Sequence, residues 1–113
     1  MQIRISTRHG SVSEATRSRI TEKVEKLTRL FDRLSQIEVT INLERRDAPR
    51  VDLKVSAEHK HDFVATSDSG ELLSSVDAVI HKLEQQLRKY KQKIQELYPD
   101  LYLEGGAGRV IEI

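Results

Sequence analysis

The chain has 113 residues, enough for one domain with a modest core, and its 37% hydrophobic and 33% charged residues are typical of a soluble globular protein. It contains no cysteine, which excludes disulfides and cysteine-based metal sites. No apolar run approaches the roughly 20 residues that cross a bilayer, so we expect a cytoplasmic protein with no membrane partner. The net charge is only +1, yet residues 81–94 hold five Lys or Arg against one Glu.

The first part of the chain predicts a strand followed by a helix. Residues 2–8 alternate apolar and polar side chains, the period of a half-buried strand. Ser13 is a favoured N-cap, although Ser11 with Glu14 also has the spacing of a capping box. Apolar residues then recur at steps of four and three, which predicts an amphipathic helix reaching about residue 34. These residues are Ile20, Val24, Leu27, Phe31 and Leu34.

Three strands are predicted in the middle of the chain. Residues 36–45 and 50–58 alternate strictly and are joined by a hairpin loop in which Pro49 ends the strand pairing. A second turn over 58–62 leads to a strand over 63–68, whose register the pattern leaves open. The inward residues of that strand are either Phe63, Ala65 and Ser67 or Val64 and Thr66.

The last predicted element is a long helix over about 71–98, capped by residues 68–70 and ended by Pro99. Its apolar residues again follow steps of four and three: Leu72, Val76, Ile80, Leu83, Leu87, Tyr90, Ile94 and Leu97. We expect residues 1–99 to form one domain. Residues 100–113, which include three glycines, are expected to be a flexible tail.

The element order β-α-β-β-β-α predicts an α+β fold. Antiparallel hairpins combined with one strand–helix–strand unit give a four-stranded mixed sheet with two helices packed on one face. A right-handed crossover makes the first two strands parallel.

Basic residues form rows beside the apolar faces of both predicted helices. The candidate cations are Lys82, Lys89 and Lys93 on one flank of the second helix, Arg88 and Lys91 on its other flank, and Arg19, Lys26 and Arg33 at i, i+7 and i+14 in the first region. Pairs such as Glu22–Lys26 are favourable at i,i+4, so a merely solvated surface is one interpretation. The single acid of 81–94 favours the other, a surface that binds RNA phosphates.

The remaining polar residues do not predict catalysis. Residues 58–62 contain two histidines at i,i+2, but they lie at a turn without a partner cluster, so an exposed polar turn is favoured over a metal site. Asp77 is expected either to pair with a Lys or to cap a loop, and Tyr90 to pack apolarly with its hydroxyl at the rim. We predict no metal, no cofactor and no small-molecule substrate.

Residues 68–94, DSGELLSSVDAVIHKLEQQLRKYKQKI, resemble the C-terminal helix of the short ribosome hibernation promoting factor family, which includes the ribosome-associated inhibitor A proteins. The matching residues are Val76, Asp77, Ile80, Lys82, Leu83, Gln86, Leu87, Lys89, Lys91 and Lys93. The resemblance extends over about residues 1–97. Two departures are Gln85, where the family has Arg, and Leu72–Leu73, where it has Met-Tyr.

The resemblance implies a non-enzymatic protein that binds rRNA of the small ribosomal subunit in the mRNA and tRNA channel and blocks translation under stress or in stationary phase. It assigns contacts to Lys82, Lys89, Lys91 and Lys93, while Arg88 is an addition of this chain. The short form lacks the dimerisation domain of longer members, so a monomer is expected when free. Two alternatives remain: a general double-stranded RNA-binding module, and a protein-interaction or small enzymatic domain with a solvating charged surface.

Overall fold

The computed structural model describes residues 2–31, 33–57 and 61–97. The elements are β1 (Gln2–Arg8), α1 (Glu14–Leu30), β2 (Leu34–Asn42), β3 (Arg50–Ala57), β4 (His61–Ser67) and α2 (Leu72–Leu97). This is the predicted β-α-β-β-β-α order.

The strands form one sheet in the order β1-β2-β3-β4. β1 pairs with β2 in parallel, whereas β2–β3 and β3–β4 are antiparallel. α2 packs on β3 and β4, and α1 contacts both β1 and α2, so the two helices cover one face of the sheet. The predicted α+β fold and its mixed sheet are therefore confirmed. The core lies between this face and the helices, where Leu53, Leu83 and Leu87 are completely buried.

The register of β4, which the sequence pattern left open, is now decided. Phe63, Ala65 and Ser67 point into the core with 7%, 6% and 6% exposure, whereas Val64 is 55% exposed on the uncovered face. Ala65 lies opposite Leu53 of β3, which points to the same face. The apolar side chains of a strand must share one face, so only this register buries Phe63 under α2.

The predicted end of the first helix was wrong. Phe31 is already extended, with φ −140° and ψ 119°, and its N–H donates the last helical hydrogen bond to the Leu27 carbonyl. Leu34, expected on the helical apolar face, instead begins β2 opposite Ala57, and it is buried there. At the other end, Ser13 is the N-cap and accepts a hydrogen bond from the N–H of Thr16, which confirms the first of the two capping alternatives.

Three other predicted boundaries shift. β2 ends at Asn42 and not at 45, because the Asn42 side chain accepts the Glu44 N–H and starts a turn there. β4 begins at His61, inside the predicted turn; residues 58–60 lie outside the described residues. α2 begins at Leu72 with Glu71 before it, and the Glu71 carbonyl accepts the N–H of Ser75. Pro99 and the predicted tail also lie outside the described residues.

Both edge strands accept hydrogen bonds from helix side chains. On β1, the Arg17 guanidinium donates to the carbonyl of Ile5 at 2.9 Å. On β4, the carbonyls of Val64 and Thr66 accept from side chains of α2, as described below. These hydrogen bonds use backbone carbonyls of the edge strands that could otherwise pair with another strand.

Candidate nucleic-acid interface

One flank of α2 lies along the open edge of β4. Lys82 Nζ donates to the carbonyl of Thr66, and Gln86 Nε2 to that of Val64, each at 2.8 Å. Four helix residues advance about 6 Å and two strand residues about 6.6 Å, so the two elements stay in step as they run in opposite directions. These two hydrogen bonds hold the flank of α2 against the edge of β4.

The same flank continues with Lys89 and Lys93. They follow Lys82 at i+7 and i+11, and both side chains are exposed. Neither forms an ion pair with a carboxylate in the described part of the chain. Lys82 donates to a neutral carbonyl, which leaves its positive charge uncompensated. We call Lys82, Lys89 and Lys93 the lysine row.

Arg88, on the other flank of α2, is not free. Its Nη2 and Nε lie 2.7 and 3.2 Å from Glu84 Oε2, four residues earlier. Glu84, the single acid of 81–94, lies one turn before Arg88 and therefore pairs with it. The Arg88 side chain is 61% exposed, and an exposed pair of this kind is weak. A phosphate could compete for the guanidinium.

Lys91 lies on the side of α2 that faces α1. Its Nζ is 6.0 Å from the centroid of the buried Phe31 ring, at the outer limit of a cation–π contact. On the same side, Lys23 Nζ of α1 donates to Asp77 Oδ1 at 2.9 Å. The predicted pairing of Asp77 with a Lys is confirmed, and the partner comes from the other helix.

The predicted cations of α1 are partly rearranged. Arg19 and Lys26 are exposed, and they lie at i−4 and i+3 from Lys23, on the shoulder of α1 that faces α2. Neither forms an ion pair with a described carboxylate, so the favourable Glu22–Lys26 spacing is not used. Arg33 is exposed but lies between α1 and β2, because the helix ends at Leu30. The i, i+7, i+14 helical row therefore has two members and not three.

The cations of the helical layer thus fall into two groups. The lysine row follows the edge of β4, and Arg19 and Lys26 follow the shoulder of α1. The body of α2 lies between them, because Lys82 and Lys91 point about 180° apart on its wheel. The rows of basic residues that the sequence predicts on the two helices are thus separated by the body of α2.

The uncovered face of the sheet has a different electrostatic character. Three of its cations have acidic neighbours: Arg4 lies 4.0 Å from Glu38, Lys54 3.8 Å from Asp62, and Arg50 3.2 Å from Asp52. Asp52 also accepts a hydrogen bond from Thr66 at 2.8 Å. Charges of both signs therefore alternate across this face, which makes it a poorer match for a polyanion than the lysine row.

The two departures from the family pattern differ in how far their side chains are buried. Gln85 is exposed on the outer surface of α2. Leu72 and Leu73 are partly buried and pack against the core, so they supply packing at the start of α2.

Aromatic side chains at the base of β4 were missed as a cluster. The rings of His61 and Tyr90 are stacked, with centroids 4.6 Å apart and planes 28° apart, and Phe63 lies against both. The sequence does contain a pattern that indicates this cluster, because residues 61, 63 and 65 alternate along one strand face. The predicted strand began only at residue 63, so His61 was assigned to the turn. Tyr90 packs against the core, as predicted.

Within residues 2–31, 33–57 and 61–97, no group of three His, Cys, Asp or Glu side chains is arranged to hold a metal ion. Residues 58–60 lie outside this range, so the exposed polar turn stays a prediction there, whereas His61 and Asp62 belong to β4. None of the helices in the described part is long and apolar enough to cross a membrane.

Several known proteins resemble the chain in sequence and fold. A family model described as Sigma 54 modulation protein / S30EA ribosomal protein matches residues 3–95. The ribosome hibernation promoting factor of Pseudomonas putida is 30% identical over 110 residues, which cover 96% of this chain and all of that protein. The factor of the same name from Escherichia coli is 30% identical over 97 residues, 85% of this chain and 99% of that one.

The fold of the chain also resembles that of a solved structure. The ribosomal subunit interface protein from Coxiella burnetii superposes with a TM-score of 0.69 at 30% identity, covering 81% of this chain and 99% of that one. The resemblance first seen in residues 68–94 is therefore confirmed over most of the chain. The chain belongs to the Sigma 54 modulation protein / S30EA ribosomal protein family, whose members are ribosome-associated and not enzymes.

Proposed function

We propose that this protein binds rRNA of the small ribosomal subunit in the channel used by mRNA and tRNA, and silences translation under stress or in stationary phase. Relatives at 30% identity are named ribosome hibernation promoting factors, and a structural relative is named a ribosomal subunit interface protein. The binding partner is the small subunit, and the free protein is a cytoplasmic monomer.

The observation that carries the proposal is the lysine row, which presents three exposed ammonium groups without a paired carboxylate in the described residues. Arg19 and Lys26 add two more cations on the α1 side. Phosphate oxygens need this kind of charge, and each contact releases condensed counterions, which makes binding strong at low salt. Arg88, Lys91 and Arg33 contribute secondarily, since Arg88 must leave Glu84 and Lys91 faces α1.

The two cation groups suit a cleft better than a single RNA surface. Because α2 separates them, one wall of rRNA contacts the lysine row while another contacts Arg19 and Lys26. A rigid domain held between two walls of the channel occupies the space of mRNA and the anticodon stem. Inhibition then requires no catalytic group, only occupancy, and it ends when the protein dissociates.

The test is co-sedimentation of the purified protein with isolated small subunits across a salt series, with a free RNA duplex as competitor. The proposal predicts retention at low salt, a steep loss of affinity as salt rises, and little competition by the duplex. Equal competition by the duplex would support a general double-stranded RNA-binding module. Failure to sediment with small subunits even at low salt would refute the proposal.

A further inference from the structure

A stacked pair of aromatic rings, His61 and Tyr90, lies beside Lys89 and Lys93 of the lysine row. The His61 side chain is exposed, and one face of its ring lies on Tyr90. Phe63, which is buried, meets Tyr90 edge-on at 5.3 Å and His61 at 4.6 Å. The His61 ring therefore contacts Tyr90 and Phe63 and still remains exposed.

The backbone around this pair is fixed. His61 is opposite Ala57 in the β3–β4 register, and Gln86 anchors α2 to the carbonyl of Val64 one helical turn before Tyr90. The contacts Thr66–Lys82, Val64–Gln86 and His61–Tyr90 form successive steps along one strand and one helix. A ring held this way loses little conformational freedom when a ligand stacks on it.

Cations flank the aromatic pair. Lys89 precedes Tyr90 in sequence, and Lys93 follows it by one turn on the same side of α2. Both ammonium groups are exposed and form no ion pair with a described carboxylate. The surface thus offers a flat ring beside two positive charges, which matches a nucleotide: the base is flat and the phosphate is negative. A duplex hides the faces of its bases, so this surface selects an unpaired nucleotide.

We propose that the His61 ring, supported by Tyr90, stacks on an unpaired base of RNA whose phosphates are bound by Lys89 and Lys93. This inference rests on the proposed function and deepens it. The stacking contact selects RNA with unpaired bases, whereas the lysines alone bind any phosphate backbone. His61 is a positioning contact for the RNA and takes no part in any reaction.

The experiment compares the wild type with His61→Ala and His61→Phe in binding a fluorescently labelled single-stranded oligonucleotide, the matching duplex, and small subunits. His61→Ala should weaken binding to the single strand about 5- to 150-fold, the range of one lost base stack. The loss should be similar at every salt concentration, because stacking releases no counterions. His61→Phe, which keeps a flat ring and removes the imidazole, should restore affinity. Duplex binding should not change.

Two results would overturn the inference: wild-type affinity of His61→Ala for single strands, or failure of His61→Phe to restore binding although it unfolds at the wild-type temperature. A thermal melt of each variant separates loss of stacking from loss of folding. Different results would refute the proposed function and the stacking contact. If the wild type binds the oligonucleotide but not small subunits, the ribosomal proposal falls while the stacking contact stands. If small subunits are bound equally by wild type and His61→Ala, the stacking contact falls alone.

Discussion

Neutralising the end of the lysine row should change how binding depends on salt, and the size of the change follows from the structure. In the double substitution Lys89→Gln with Lys93→Gln, two exposed ammonium groups that lack a paired carboxylate among the described residues are removed. Each lost phosphate contact makes the plot of log K against log salt shallower by about 0.7 to 0.9. Two contacts therefore reduce the slope by about 1.4 to 1.8.

The change in salt slope gives the expected difference in affinity between the wild type and the variant. If the lines for wild type and variant meet at about 1 M salt, the variant binds small subunits about 25- to 60-fold more weakly at about 0.1 M. At about 0.3 M the difference shrinks to about 5- to 9-fold. The assay is co-sedimentation with isolated small subunits at four or more salt concentrations. Glutamine keeps helix propensity close to that of lysine, so the variant should fold normally.

The matched control is Arg4→Gln with Lys54→Gln. It also removes two positive charges, but from the uncovered face of the sheet, where Arg4 lies near Glu38 and Lys54 near Asp62. Its salt slope should equal that of the wild type. Equal effects of the two double variants would mean that net charge alone drives binding, and an unchanged slope for the lysine variant would show that the row does not bind phosphate.

Two further predictions concern stability. Ser75→Ala should raise the free energy of unfolding by about 1 kcal/mol or more beyond the gain from Ser74→Ala, because the buried Ser75 hydroxyl has no hydrogen-bond partner among the described residues whereas Ser74 is exposed. Equal gains in urea denaturation for both variants would contradict this. A double-mutant cycle on Lys23 and Asp77 should give a coupling of about 0.2–1 kcal/mol that weakens with salt, since both side chains are partly exposed; a coupling of zero at low salt would show that the pair does not join the helices.

Hydrophobic periodicity was sufficient to predict the order of the elements, because each helix and strand buries one face. It failed at the end of α1, where Leu34 continues the helical spacing by coincidence and is buried from a strand instead. Only the pairing of Leu34 with Ala57 distinguishes the two, and that contact is 23 residues away along the chain. Periodicity also left two registers for β4, which packing of Phe63 against α2 resolves.

The candidate site was predictable in its residues but not in its arrangement. A helical wheel places Lys82 and Lys89 on one flank, yet it does not say which neighbour that flank approaches. The structure places the flank against the β4 edge, where Lys82 reaches the Thr66 carbonyl. The wheel also treats Arg88 as one more cation, whereas Glu84 binds it. Such differences depend on tertiary contacts that local spacing does not encode.

We expect the helical layer, and not the uncovered sheet face, to contact rRNA of the small subunit. Because the chain has no cysteine, a single introduced cysteine carries a short-armed aryl azide at one defined place. Gln85→Cys puts it on the outer surface of α2, and Ser6→Cys puts it on the exposed side of β1. After irradiation with small subunits, we expect strong crosslinks to rRNA of the mRNA and tRNA channel from position 85 and few from position 6. Stronger crosslinking from position 6, or crosslinks from position 85 only outside that channel, would show that the helical layer is not the contact surface.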